Sequence, residues 1–286
     1  MLEINGLSKK YEKFALSDVS FNLESGYIMG FIGKNGAGKT TTLKSMVRLV
    51  APDSGSVRMF GMDFKEHEFE CKQRIGFVLG AADFYLHSKL KSIADVTKRF
   101  YTEWDESAYR SFLERFELDE TKRVGQLSAG MKVKFSLALA LSHNAKLLIL
   151  DEPTSGLDPV SRDDLLELFQ ELVEDGEQSI LFSTHITSDL EKCADFITYI
   201  HEGQILASEE KDSFTDSYRI VSGKSDMLSD EKKKKLIGCR EHNFGFEGMI
   251  KKEDIGLFSQ EEVKSASLEE IMIHTERKDK KAGEEK

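Results

Sequence analysis

Proline is scarce, with Pro52, Pro153 and Pro159 the only three among 286 residues, while 40% of the chain is hydrophobic. That balance excludes a proline-rich linker or a disordered segment and indicates an ordered globular protein with one large core and a small second unit. Cysteine is equally sparse. Cys71, Cys193 and Cys239 are far apart and have no zinc-type spacing, so they read as isolated thiols of a reducing cytoplasm. Long apolar runs are missing too: LALAL at 137–141 and LLIL at 147–150 are core-sized, well short of a membrane span. The opening MLEINGLSKKYEKF has no long apolar region behind a basic one, so no signal peptide is expected, and membrane attachment would have to come through a partner. Positive charge is in deficit, with a net charge of -11 and a pI of about 5.3. No nucleic acid is expected as the main partner, a local basic patch aside.

What is present is an alternation of short strand-like and helical segments. Leu2–Leu7, Ser17–Leu23 and Tyr27–Ile32 read as strands separated by Gly, Asp or Ser, and a helix is expected from Lys39 to about Leu49. Short strands follow near 57–59 and 75–79, and residues from about 88 to 143 look mainly helical. There Tyr109, Phe112, Leu113 and Phe116 share a face, and Asp105 is a natural N-cap. Leu147–Leu150 and Ser179–Ser183 read as buried strands flanking a helix of about 160–174, as in an α/β core sheet. Strand-like 196–201, an EGQI turn and a further strand close the unit near residue 208. Residues 209–276 carry no nucleotide motif and read as a small accessory α/β module. Two strand-like pieces are expected near 243–257, a helix through EEVKSASLEEIMIHTERK, and a fraying polar tail at 277–286. The KKKK run at 232–235 reads as a solvated face or, less simply, as a contact for anionic lipid.

Two constellations carry chemistry. Gly33-Lys34-Asn35-Gly36-Ala37-Gly38-Lys39-Thr40 fits the Walker A pattern at every fixed position, between a strand and a helix. Its glycines let backbone N–H groups close on phosphate oxygens, Lys39 faces the β and γ phosphates of ATP, and the Thr40 hydroxyl suits magnesium. The Thr41 N–H is placed for the α phosphate. In Leu147-Leu148-Ile149-Leu150-Asp151-Glu152-Pro153 an apolar strand ends on two carboxylates. Asp151 suits the magnesium shell, and Glu152 suits the general base that activates water.

With these motifs in order, residues 1–208 resemble the nucleotide-binding subunit of an ABC transporter. Leu127-Ser128-Ala129-Gly130-Met131 is similar to the family's signature, Ser155-Gly156-Leu157-Asp158 to its D-loop, His185 to its switch histidine and Tyr11 to the aromatic residue that stacks on adenine. The resemblance implies an α/β P-loop NTPase cassette with a RecA-like core, an antiparallel β subdomain and a helical signature subdomain at about 88–143. It also implies a head-to-tail dimer, with Ser128 and Gly130 reaching the γ phosphate in the partner copy's site and Asp158 joining the two sites. A separately encoded multi-span permease would hold the chain at the cytoplasmic face of the membrane, docking around residues 80–100. Phe84, Tyr85 and Leu86 are either apolar contacts for it or core residues.

Two departures stand out. Family members usually carry a glutamine after the strand corresponding to IGFVL; here Gly80 stands there, with Asp83 or water as the substitute oxygen. Ala129 and Met131 replace the commoner glycine and glutamine of the signature. With the C-terminal SLEEIM segment, these features resemble bacterial ATPases that export peptide antibiotics, bacteriocins or amphipathic toxins such as phenol-soluble modulins. The expected function is an ATPase driving such an exporter. A nucleotide-gated regulatory or scaffolding subunit, and a soluble cassette acting on ribosomes or DNA, stay open as alternatives, as does a dimer-strengthening role for the accessory module.

Overall fold

The computed structural model describes residues 1–79 and 85–284, with side chains to Arg277. The chain divides into two compact units, Met1–Ser208 and Glu209–Lys286.

The first unit runs β1 (Leu2–Lys10), β2 (Ala15–Leu23), β3 (Ile28–Ile32), α1 (Lys39–Met46), β4 (Ser54–Met59), β5 (Met62–Asp63), α2 (Glu68–Gln73) and β6 (Ile75–Leu79). It continues through α3 (Leu90–Thr97), α4 (Glu106–Arg115), α5 (Ala129–Leu141), β7 (Leu147–Asp151), α6 (Pro159–Val173), β8 (Ser179–Thr184), α7 (Thr187–Cys193), β9 (Phe196–His201) and β10 (Gln204–Glu210). An antiparallel sheet of order β2-β1-β4-β5 lies beside a six-stranded sheet of order β10-β9-β3-β8-β7-β6. In the larger sheet β9, β3, β8, β7 and β6 are mutually parallel. Every residue of β3, β7 and β8 is buried, which is why their central residues read as apolar runs rather than as an alternating pattern.

One consequence of strand order decides the site. Because β3, β8 and β7 are neighbours, Ile32 aligns with Thr184 and Asp151 with Ser183. The loop after β3, the carboxylates ending β7 and the histidine after β8 therefore leave the sheet at the same edge, where ligands bind in open α/β sheets. In the helical stretch Asp105 caps α4, accepting from Ser107 N at 2.7 Å and Ala108 N at 3.1 Å. Tyr109, Leu113 and Phe116 turn inward, and Phe112 is half-buried and stacks on Phe116.

The second unit contains α8 (Lys211–Asp216), β11 (Tyr218–Gly223), α9 (Asp230–Lys235), β12 (Ile237–His242), β13 (Gly245–Lys251), β14 (Glu262–Ser265) and α10 (Leu268–Glu284). Its antiparallel sheet has the order β12-β13-β11-β14 and its own core around Val221, Leu236, Phe246, Ile250 and Phe258.

Several expectations are corrected. α1 stops at Met46 because Val47 leaves the helix and Arg48 takes a left-handed φ of 56°. Only one of the two strand-like pieces near 243–257 is a strand; residues 252–257 form a tight 3-10 turn. The segment expected to be one helix is strand β14 followed by α10. Val263 pairs with Val221 in the sheet, and Ser267 with Glu270 forms a capping box, Ser267 N donating to Glu270 Oε2 at 3.0 Å and Glu270 N to Ser267 Oγ at 3.2 Å. The polar tail carries α10 on to Glu284, in keeping with its Lys, Arg, Glu and Ala content. In the KKKK run, Lys232 pairs with the fully buried Glu261 side chain, Lys233 with Glu241 at 2.5 Å and Lys235 with Asp254 at 2.8 Å. Three of those four lysines are thus held by carboxylates of their own unit. No described helix is long and apolar enough to cross a membrane.

Candidate active site

The cleft at the sheet edge has a volume of about 670 Å³ and is lined by Asn35, Gly36, Gly38, Lys39, Thr40, Thr41, Glu152, Ser155 and His185, with Lys13 and Phe14 on one wall. Its floor is the turn from β3 into α1. Gly38, the N-cap of α1, has φ 116°, and a Cβ there would lie 2.9 Å from the Phe14 ring and 2.7 Å from Leu16. Only glycine fits that conformation and that space. No side chain caps α1, so its first-turn amides and the positive end of its dipole face the cleft, an arrangement suited to phosphate.

Lys39 is 5% exposed. Its ammonium donates to Gly33 O at 2.7 Å and Lys34 O at 3.3 Å and lies 3.1 Å from Glu152 Oε1. The other oxygen of Glu152, Oε2, accepts from His185 Nδ1 at 2.8 Å. Glu152 thus bridges the lysine of the phosphate loop and the histidine after β8.

Asp151 is also buried. Its Oδ2 accepts from Thr40 Oγ1 at 2.8 Å and its Oδ1 from Ser183 Oγ at 2.6 Å. Glu152 adopts φ 51°, a left-handed conformation uncommon outside glycine. Its N–H is held by Ser183 O at 3.1 Å and Ser183 Oγ at 3.0 Å. The Thr40–Asp151 pair offers hard oxygen donors only, and no cluster of three or more His, Cys, Asp or Glu side chains that could hold a metal occurs among the described residues. That donor set fits magnesium, which takes one or two protein oxygens and completes its shell with phosphates and water.

The remaining sequence-derived residues stand elsewhere. Tyr11 is 43% exposed and sits behind Phe14, ring centroids 6.5 Å apart, so Phe14 rather than Tyr11 faces the cleft. Ser128 caps α5, accepting from Met131 N at 3.2 Å. Gly130 follows it in the first turn, and Asp158 caps α6 through Val160 N and Ser161 N, both at 3.1 Å. Those two bonds, with the Ser161 side chain foremost, hold the Asp158 carboxyl below its usual range. None of Ser128, Gly130 and Asp158 lines this chain's own cleft. Gly80, Asp83 and Phe84 lie outside the described residues, while Tyr85 is 73% exposed and so is no core residue.

Sequence reasoning missed Ser183, Lys13 and Phe14. Phe14, three residues after Tyr11 and just before β2, was the visible half of an aromatic pair. Ser183 gave no signal, because its role depends on the register of β8 against β7.

Comparisons with known proteins give the family. The family profile described as ABC transporter matches residues 16–155. The ABC transporter ATP-binding protein YtrB of Bacillus subtilis (strain 168) is 33% identical over 219 residues, 76% of this chain and 75% of that protein. The bacitracin transport ATP-binding protein BcrA of Bacillus licheniformis is 35% identical over 209 residues, covering 72% and 68%. The lantibiotic transport ATP-binding protein SrtF of Streptococcus pyogenes is 35% identical over 216 residues, covering 74% and 92%. A solved ATP-binding subunit of an ABC transporter superposes with a TM-score of 0.67 at 29% identity, over 74% of this chain and 91% of that one. A dimeric cassette bound to ADP and phosphate shares the fold, with a TM-score of 0.64 at 22% identity, over 73% and 98%. A phosphate loop, a carboxylate pair and a histidine converging on one sheet edge, in a chain with these relatives, identify a member of the ABC transporter ATP-binding subunits, an ATPase of the ABC cassette fold.

Proposed function

We propose that this subunit energises an exporter of amphipathic or antimicrobial peptides, phenol-soluble modulins among the candidates, from the cytoplasmic face of the membrane. The reading of the cargo is carried by the relatives at 35% identity that are named for bacitracin and lantibiotic transport. A multi-span permease, encoded separately, would hold the chain at the membrane, with the exposed Tyr85 and Leu86 among its contacts.

The chemistry is hydrolysis of the β–γ phosphoanhydride. The γ phosphate competes with Glu152 for the Lys39 ammonium, now 3.1 Å from that carboxylate. Once displaced from Lys39, Glu152 accepts a proton from a water whose oxygen attacks the γ phosphorus. The bond from phosphorus to the β–γ bridging oxygen breaks, and ADP leaves with its electron pair. His185 orients Glu152 and the attacking water from the opposite side. Thr40 and Asp151 would hold magnesium, which supplies charge neutralisation at the phosphates. Phe14 forms the aromatic side of the nucleotide pocket, with Tyr11 packed against it outside the cleft. Because Ser128, Gly130 and Asp158 stand outside this cleft, they are assigned to a head-to-tail dimer, the first two completing the neighbour's site and the last bridging the two.

The test is to copurify the chain with the permease encoded beside it and reconstitute both in vesicles. ATP turnover and peptide uptake into inverted vesicles are then followed for wild type and Glu152→Gln. Peptide-stimulated turnover, reduced in the variant by about a hundred- to ten-thousandfold as for loss of a general base, is the expected result. Turnover indifferent to amphipathic peptides would overturn the cargo, and a nucleotide-dependent complex without turnover would favour a regulatory switch.

A further inference from the structure

Beside the cleft the cassette buries a carboxylate, ion-paired to a half-buried arginine, that the hydrolysis described above does not use. Asp189 on α7 is 1% exposed. Its Oδ2 accepts from Thr154 Oγ1 at 2.6 Å, its Oδ1 takes the Arg162 guanidinium, and Arg162 Nη2 donates onward to Ser188 Oγ at 2.9 Å. Thr154, itself buried, lies two residues after Glu152, and Arg162 belongs to the first turn of α6, whose cap is Asp158. Asp189 lies four residues after His185. A single carboxylate thus fastens the loop carrying Glu152, Ser155 and Asp158 to the segment carrying His185.

Helix packing alone does not require a charge here. A buried carboxylate must be desolvated, and apolar residues of similar volume commonly stabilise a helix contact as well or better. What the pair adds is direction: Ser183 of β8 anchors the Glu152 N–H, and the bonds of Asp189 tie the chain beyond it, at Thr154 and Arg162, to the helix that follows His185. The 2.8 Å contact between Glu152 and His185 spans the same two segments.

We propose that Asp189 is a positioning residue for ATP hydrolysis, holding the His185 segment against the Glu152 loop through Thr154 and Arg162. The proposal rests on the roles assigned above to Glu152 and His185. It predicts a defect in turnover without a defect in nucleotide binding, because Asp189 touches neither Lys39 nor the phosphate loop. In Asp189→Asn the amide can satisfy Thr154 or Arg162 but not both as a charged acceptor. Arg162→Gln alongside Asp189→Asn restores a neutral amide pair. Thr154→Val removes one hydroxyl at nearly constant volume and leaves the ion pair intact.

The full chain, with its permease, is assayed for kcat, for KM of ATP and for binding of a fluorescent ADP. Asp189→Asn is expected to lower kcat about tenfold or more, and Thr154→Val about threefold, with ADP affinity and KM within about twofold of wild type. Recovery of most of the lost kcat in the Asp189→Asn, Arg162→Gln double variant would support a link between loops over a generic packing role. A folded Thr154→Val with wild-type kcat overturns the proposal whatever the Asp189 variants do. So does a rise in KM or loss of ADP binding in step with kcat, which would mark general damage to the cassette. Glu152→Gln is run beside them: wild-type turnover in that variant would instead overturn the assignment of Glu152, which separates the two failures.

Discussion

Ser183 contributes one hydroxyl on which both neighbouring carboxylate residues depend. It donates to Asp151 Oδ1 and accepts from the Glu152 N–H, while its carbonyl accepts from the same N–H. The left-handed backbone of Glu152 costs about 1–3 kcal/mol and persists only where neighbours over-determine it, and Ser183 supplies that restraint. Ser183→Ala leaves Asp151 with Thr40 alone of these two donors. The expected outcome is a loss of about 1–3 kcal/mol of stability, measured by urea unfolding. If Asp151 holds magnesium as proposed, the magnesium concentration giving half-maximal ATP turnover also rises, whereas Ser183→Thr, which retains the hydroxyl, keeps it near wild type. Unchanged magnesium dependence in a folded Ser183→Ala would mean that Thr40 suffices to orient Asp151.

The β9–β10 hairpin illustrates how an element distant in sequence supports the phosphate loop. Its two-residue connection, Glu202-Gly203, has positive φ at both positions, 45° and 81°, the turn whose twist matches that of the strands. Gly203 N donates to Ala37 O at 2.9 Å, inside the phosphate loop, and Gly203 O accepts from Ser17 N at 2.9 Å at the start of the antiparallel sheet. A Cβ at Gly203 would lie 1.8 Å from Ala15 O. Gly203→Ala therefore has to shift the turn away from both loops, at a cost of about 2 kcal/mol or more from left-handed strain and the lost bond together. The expected result is a lowered melting temperature with a raised KM for ATP. A variant with an unaltered KM would show that the phosphate loop does not need this hairpin.

At the scale of the whole molecule, stability should fall on mild acidification through His143. The ring is 2% exposed, stacks on Tyr101 with centroids 3.6 Å apart, and donates from Nδ1 to Gln73 O at 3.3 Å. Burial is the main cause that lowers its pKa from 6.5 to about 4. A histidine whose folded pKa is depressed stays neutral while the unfolded chain takes up a proton. Nothing is lost above pH 6.5, and stability declines as pH falls from there towards 4, by on the order of 3 kcal/mol if the full shift is expressed. In His143→Phe, which keeps the stack on Tyr101, the difference between unfolding free energies at pH 7 and pH 4.5 should be smaller than in wild type. Equal differences would assign the acid sensitivity to carboxylates elsewhere.

The sequence by itself determined the family of this protein, and with it the ATPase class. A phosphate loop and an acidic strand end are local patterns whose spacing sets backbone geometry, so Lys39, Thr40, Asp151 and Glu152 stood out as candidates without coordinates, while His185 stood out only through the family resemblance. The buried strands and Asp105 were legible for the same reason, since apolar runs and caps are written in consecutive residues. Tertiary structure alone decided which of these segments meet. The order β3-β8-β7 brings the three loops to one edge, and the pairing of Asp151 with Ser183 turns a plain serine into the support of both carboxylate residues. In the second unit, β14 was hidden inside a helical pattern because EEVKS becomes a strand only when β11 offers it an edge. Ser183, Asp189 and β14 share one physical reason for their silence in the sequence: each acts through a partner more than 30 residues away, and no local periodicity encodes such a partner.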